Sequence, residues 1–149
     1  MEGAMRALDL MTSSVRVVDA EDPVSRAMRV MTDWEVGLLP VVMADAPFRV
    51  VGVITAGDIA TRCADLGHTS ECLVRDHMTV TPLVSVGPEA SVDEVLDRMR
   101  THQLRRVLVL QGMRLLGIIT LEDIERKIGH LEPRKVQRLS EALAPPLPA

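Results

Sequence analysis

Two short stretches of the chain carry side chains whose types and spacing suit ligand chemistry: Gly52–Asp58 (GVITAGD) and Gly117–Asp123 (GIITLED). In each, an apolar run of strand character ends at a threonine, and an aspartate follows three residues later. A strand ending at Ile54 delivers Thr55 to the first position of a helix. Helix starts carry unpaired N–H groups and a partial positive charge, which suit phosphate. Thr55 adds a hydroxyl there. Asp58, one turn on, faces the same opening with the acceptor oxygens that two vicinal ribose hydroxyls require. Thr120 and Asp123 repeat the geometry. The same four residues also read as two capping boxes, in which threonine and aspartate satisfy each other's backbone amides and bind nothing else. Sequence alone leaves both readings open.

Other reactive side chains form no comparable constellation. His68, His77, His102 and His130 lack the H-x-x-x-H type of spacing that holds a metal. No G-x-S-x-G turn and no local Ser-His-Asp or Cys-His pairing marks a nucleophile, so the expectation is a binding protein and not an enzyme. Cys63 and Cys72 read as ordinary thiols that pair only if the intervening turn brings them together. Arg105-Arg106 is a short basic pair. Guanidinium groups fit phosphate in bidentate fashion, and the alternative is a solvated strand edge that discourages aggregation.

Composition narrows the partners. The net charge is −4, with one Trp (Trp34), one Phe (Phe48) and no Tyr. Single-stranded nucleic acid is gripped by aromatic platforms in a basic groove, so no nucleic-acid role is expected. No apolar run reaches the roughly 18 residues of a membrane span, and the N-terminal MEGAMRALDL lacks the pattern of a signal peptide. The expectation is a cytoplasmic protein without membrane contact. With 149 residues and 47% hydrophobic content, the chain can form one compact unit or two small ones sharing a core.

The elements that must position these residues come from an internal repeat. DLMT (Asp9–Thr12) returns as DHMT (Asp76–Thr79), and PVSRAMRVM (Pro23–Met31) as SVDEVLDRM (Ser91–Met99). LLPVV (Leu38–Val42) matches RRVLV (Arg105–Val109), and VVGVITAGDI (Val50–Ile59) matches LLGIITLEDI (Leu115–Ile124). The order is kept throughout, as expected of duplicated units.

Each repeat reads as β-α-β-β-α. Val15–Val18 and Leu83–Val86 are short strands. Helices follow with apolar stripes Val24, Ala27, Met28, Met31 and Val92, Val95, Leu96, Met99. Asp22-Pro23 reads as a cap before a first-turn proline, and Ser91 with Glu94 as a capping box. Leu38–Met43 pairs with Phe48–Ile54 across Ala44–Pro47, and Val107–Leu110 with Arg114–Ile119 across Gln111-Gly112. Thr55–Asp65 and Thr120–Ile128 close the repeats as helices. A C-terminal helix spans Pro133–Leu143, with Val136, Leu139 and Leu143 on one stripe. Domain boundaries follow at 5–66, a linker at 67–73, a second domain at 74–129, and a tail at 130–149 that ends in Pro-Pro-Leu-Pro.

GVITAGD and GIITLED resemble the Gly-apolar-x-Thr/Ser-x-x-Asp signature of CBS (cystathionine-β-synthase-type) domains. LLPVV is similar to that family's second-strand motif, and Val74-Arg75 with DHMT to its opening segment. The likeness covers residues 5–128. It implies an α/β (α+β) tandem CBS-domain pair, or Bateman module, with pseudo-twofold symmetry and two clefts between the repeats. It further implies a homodimer that binds an adenosine-containing ligand (AMP, ADP, ATP, S-adenosylmethionine or NAD), requires no cofactor, and regulates an unidentified effector protein. Carried onto this sequence, the ligand-binding positions are Thr55, Asp58, Thr120 and Asp123. Arg105 or Arg106 serves as the phosphate ligand, and Ser14, Val15, Pro82 and Leu83 flank adenine. Val36-Gly37 and Gln103-Leu104 form the opposite wall. The other reading is a ligand-free interaction or scaffold protein.

Overall fold

The structure, a computed structural model, describes residues 5–63, 72–80 and 83–143, with the side chains of 62 and 63 left aside. The linker through residue 71, the Cys63 side chain, Pro82 and the Pro-Pro-Leu-Pro tail lie outside that description. It is a mixed α/β fold in two compact units: Arg16–Leu83, and the chain through Val15 together with the chain from Val84 onward.

In the Arg16–Leu83 unit, β1 (Val18–Asp19) runs parallel to β2 (Leu38–Met43), which pairs antiparallel with β3 (Ala46–Thr55). Helix α2 (Val24–Trp34) connects β1 to β2 and buries Val24, Ala27 and Met31. These meet Val18, Leu39, Val41 and Ile54 in the unit's core. Met28, expected on the same stripe, is instead 51% exposed. The cap differs too. Pro23 occupies the N-cap with no side-chain bond, and Asp22 accepts the Asp19 N–H at 3.0 Å and pairs with Arg26 at 3.4 Å. After β3 the helix is short. α3 covers only Ala56–Asp58 and widens into a π-helical turn over Ile59–Cys63, where a regular helix from Thr55 was expected. A fourth helical turn, α4 (Val74–His77), completes the unit.

The other unit repeats the order. β4 (Ser85–Val86) runs parallel to β5 (Arg106–Gln111), and β5 pairs antiparallel with β6 (Arg114–Thr120). Helix α5 (Val92–His102) starts at Ser91, whose hydroxyl accepts the Glu94 N–H at 3.1 Å. Helix α6 (Leu121–Ile128) follows β6, and α7 (Pro133–Ala142) packs on both helices with Val136, Leu139 and Leu143 buried. Lys135 on α7 bonds Asp93 of α5 at 2.8 Å. That bond and the Asp93 charge hold the ammonium above its ordinary pKa. A raised folded value stabilises below the ordinary lysine range and is lost only in alkali, so the contact persists through neutral pH.

Both hairpins close through two residues, Ala44-Asp45 and Gly112-Met113, and the first turn is tighter than expected because β3 begins at Ala46. Gly112 takes φ 64, a left-handed conformation that costs glycine nothing. The strand registers also correct one alignment. Leu38 faces Thr55 and Val41 faces Gly52, while Arg106 faces Thr120 and Val109 faces Gly117. LLPVV therefore corresponds to RVLVL (Arg106–Leu110), one residue beyond RRVLV. Arg105 is the counterpart of Gly37.

The leading segments do not stay with their own repeats. Helix α1 (Ala7–Leu10) belongs to the unit of β4–β6, donating from Ala7 N–H to the Ala90 carbonyl at 2.8 Å. Thr12 then forms an antiparallel bridge with Ile118. Likewise α4 joins β1–β3, where Thr79 bridges Val53. Each compact unit thus includes the opening segment of the other repeat.

Candidate functional site

The two strand-to-helix corners are built alike. Thr55 and Thr120 end their strands in extended conformation and serve as helix N-caps. The Thr55 hydroxyl accepts the Asp58 N–H at 3.0 Å, and Asp58 Oδ2 accepts the Thr55 N–H at 3.1 Å. In the other corner the corresponding distances are 3.1 Å and 3.0 Å. The first helical amides are also engaged, Ala56 N–H with the Gly37 carbonyl at 3.0 Å and Leu121 N–H with the Arg105 carbonyl at 2.8 Å. Two of the donors expected to face phosphate are therefore satisfied internally. The second amide of each turn, at Gly57 and Glu122, is the donor that helix geometry leaves over.

Beyond that shared frame the corners differ. Asp123 is buried at 5% exposure. Its Oδ1 accepts from Arg126 Nη2 at 2.8 Å and from the Thr12 hydroxyl at 3.3 Å. Both carboxylate oxygens are committed. Asp58 is half-buried, and its hydrogen bonds among the described residues are confined to the cap, through its backbone N–H and Oδ2. The sequence explains the difference: Thr61 stands where Arg126 would be, and its hydroxyl turns back to the Gly57 carbonyl. Among the described residues Asp58 retains an uncommitted acceptor oxygen, whereas both oxygens of Asp123 are taken.

The remaining candidates divide between the units. Ser14 and Val15 lie in the unit of Thr120 and Asp123, as do Gln103, Arg105 and Arg106. Arg106 faces Thr120 across the β5–β6 pair, which puts the two side chains on one face. It is half-buried and makes no ion pair among the described residues. Arg105 is more exposed and already engaged, its Nη2 standing 3.7 Å from Glu122 and its Nη1 donating to the Leu143 carbonyl at 3.3 Å. Gln103 caps α5 at φ 53, with its side-chain amide on the Arg100 carbonyl at 2.8 Å. Gly37 and Leu83 go with Thr55 and Asp58, and Leu38 stands where the other corner has Arg106.

Met11, Thr12, Met78 and Thr79 bear on the corners without having been singled out. A Cβ on Gly117 would lie 2.6 Å from Met11 Sδ and 2.8 Å from the Thr12 carbonyl oxygen. One on Gly52 would lie 2.9 Å from both Met78 Sδ and the Thr79 carbonyl oxygen. The motif glycines are bare because the D-x-M-T segments press against them. Lys127 secures one of these segments, donating to the Leu10 carbonyl at 2.9 Å. The signal available beforehand was a glycine inside a strand, which marks close backbone approach. No group of three His, Cys, Asp or Glu side chains suited to a metal occurs among the described residues.

These duplicated corners, each with a Thr–Asp cap on a β-α-β-β-α frame, define a tandem module. The CBS domain family model matches residues 7–65 and 74–130, and the chain belongs to that family. Uncharacterized protein YlbB of Bacillus subtilis is 40% identical over 116 residues, covering 78% of this chain and 77% of its own. A crystal structure of Hypoxic Response Protein I with two coordinated zinc ions superposes with a TM-score of 0.72 at 30% identity, covering 83% of this chain and 98% of that one. The CBS domain pair of protein MJ0100, solved with 5′-methylthioadenosine and S-adenosylmethionine, gives a TM-score of 0.72 at 23% identity, covering 85% and 98%.

Proposed function

We propose that the chain is a regulatory module, not an enzyme, which binds an adenosine-containing ligand at its strand-to-helix corners and passes occupancy to a partner protein. The observation that carries this reading is an oxygen of Asp58 left uncommitted among the described residues, one turn from the Thr55 hydroxyl at a helix start. A carboxylate so placed accepts from ribose hydroxyls while keeping its cap. The Thr120 corner offers a cation instead, with Arg106 opposite the threonine. Ligands of the AMP, ADP, ATP, S-adenosylmethionine or NAD type suit either corner taken by itself, the Thr55 corner through its grip on a sugar and the Thr120 corner through its grip on a phosphate. The MJ0100 pair supplies the fold precedent, and the adenosyl class is carried from it only as a proposal. Homodimerisation and an effector protein belong to the same proposal.

One observation favours a ligand-free scaffold: both oxygens of the Asp123 carboxylate already accept from protein donors, as a purely structural cap requires. Calorimetry with AMP, ATP, S-adenosylmethionine and NAD separates the two readings. Saturable heat is expected with at least one compound, weakened about tenfold in Asp58→Ala, in line with the loss of charge-assisted hydrogen bonds. Heats unchanged in both Asp58→Ala and Asp123→Ala remove the ribose role. No heat with any compound leaves the scaffold.

A further inference from the structure

We infer that Arg105 couples occupation of the Thr120–Asp123 corner by a phosphate-bearing ligand to the docking of helix α7. The inference rests on the nucleotide reading of that corner and adds the route by which occupancy leaves it. Three kinds of contact hold α7. Val136, Leu139 and Leu143 are buried. Lys135 bonds Asp93 of α5 at 2.8 Å, and the Ser140 hydroxyl bonds Glu125 of α6 at 3.0 Å. Where the helix stops, Arg105 Nη1 donates to the Leu143 carbonyl at 3.3 Å.

That last contact differs from the others because its donor belongs to the corner. The Arg105 backbone carbonyl takes the Leu121 N–H, next to Thr120, and its Nη2 stands 3.7 Å from Glu122 in the first turn of α6. Arg105 thus serves a neutral carbonyl and an exposed carboxylate at the same time. A phosphate at the start of α6 is a stronger acceptor than the carbonyl and presents two oxygens to one guanidinium. It also repels Glu122. Turning the guanidinium inward takes the donor from Leu143, whose carbonyl lies at a helix end without an intrahelical partner. At ten residues, α7 is too short to persist without its packing, so a loosened end spreads inward. An adenosyl ligand without phosphate leaves Arg105 on Leu143. The device therefore separates two ligands that share a base and a sugar.

Linkage makes the coupling reciprocal: loosening α7 frees Arg105 and tightens phosphate binding. The test is hydrogen exchange on the full chain, free, with AMP and with adenosine, with calorimetry reporting whether each binds. AMP is expected to accelerate exchange of the Val136–Leu143 amides several-fold while Val95–Met99 of α5 stays protected, and adenosine to leave both unchanged. Leu139→Ala, which loosens α7 without touching the corner, is expected to tighten AMP by about threefold or more. Wild-type exchange decides alone if that variant fails to fold. AMP that binds without altering α7 overturns the coupling and spares the nucleotide reading. Equal acceleration by adenosine overturns the phosphate route through Arg105. No binding by either compound overturns the nucleotide reading and the coupling with it.

Discussion

At the level of single residues, the glycine of each signature is explained by what lies against it. Gly117 and Gly52 leave room for a methionine sulfur and a threonine carbonyl of a distant segment. Gly117→Ala would drive a Cβ to 2.8 Å from the Thr12 carbonyl oxygen, which the Thr12–Ile118 bridge holds in place. We expect a loss of about 1–3 kcal/mol, the usual cost of overpacking, and a similar loss for Gly52→Ala, read as urea midpoints at constant slope. Shifts within about 0.5 kcal/mol would show that the segments yield freely. The Thr–Asp pairs and their capping geometry were legible in the sequence. Their inequality was legible only in part: Arg126 against Thr61 is a local difference, but Thr12 reaches Asp123 across 111 positions and no local pattern announces such a contact. Arg105-Arg106 was legible as a basic pair, but a one-residue register decides which arginine faces Thr120.

Among the elements, helices α2 and α5 show how far periodicity carries. Most of their buried stripes follow from apolar spacing, with Met28 the exception on α2, and α7 was readable in the same way. The first-repeat helix after Thr55 was not, since nothing in its pattern distinguishes a π-helical turn from a regular one. Neither α2 nor α5 ends on glycine. Glu35 and Gln103 close them at φ 52 and φ 53, a conformation that costs side chains with a Cβ about 1–2 kcal/mol. Glu35 is exposed, and its N–H already donates to the Met31 and Thr32 carbonyls, so the cap itself survives substitution. Glu35→Gly is expected to raise stability by about 0.5–1 kcal/mol, after the greater backbone freedom of glycine in the unfolded chain is offset. A lowered thermal midpoint would mean that the Glu35 side chain holds something beyond the helix end.

For the whole molecule, the repeat announced the fold class and the order of elements, and the family match agrees. It did not announce that each unit takes its leading segment from the other repeat, because equal copies of D-x-M-T look the same wherever they pack. The exchange bears on the proposed function: Thr12 bonds Asp123, so a ligand bound there as proposed would act on the N-terminal segment as well as on α7. No helix among the described residues is long and apolar enough to cross a membrane. The most direct test of an adenosyl-binding module is a native mass spectrum of freshly purified protein, taken before and after adding AMP, ATP, S-adenosylmethionine and NAD in turn. We expect paired chains carrying adenosyl-sized increments, at most two for each chain, with the number reduced in Asp58→Ala. Bare chains that stay bare through every addition would contradict the account.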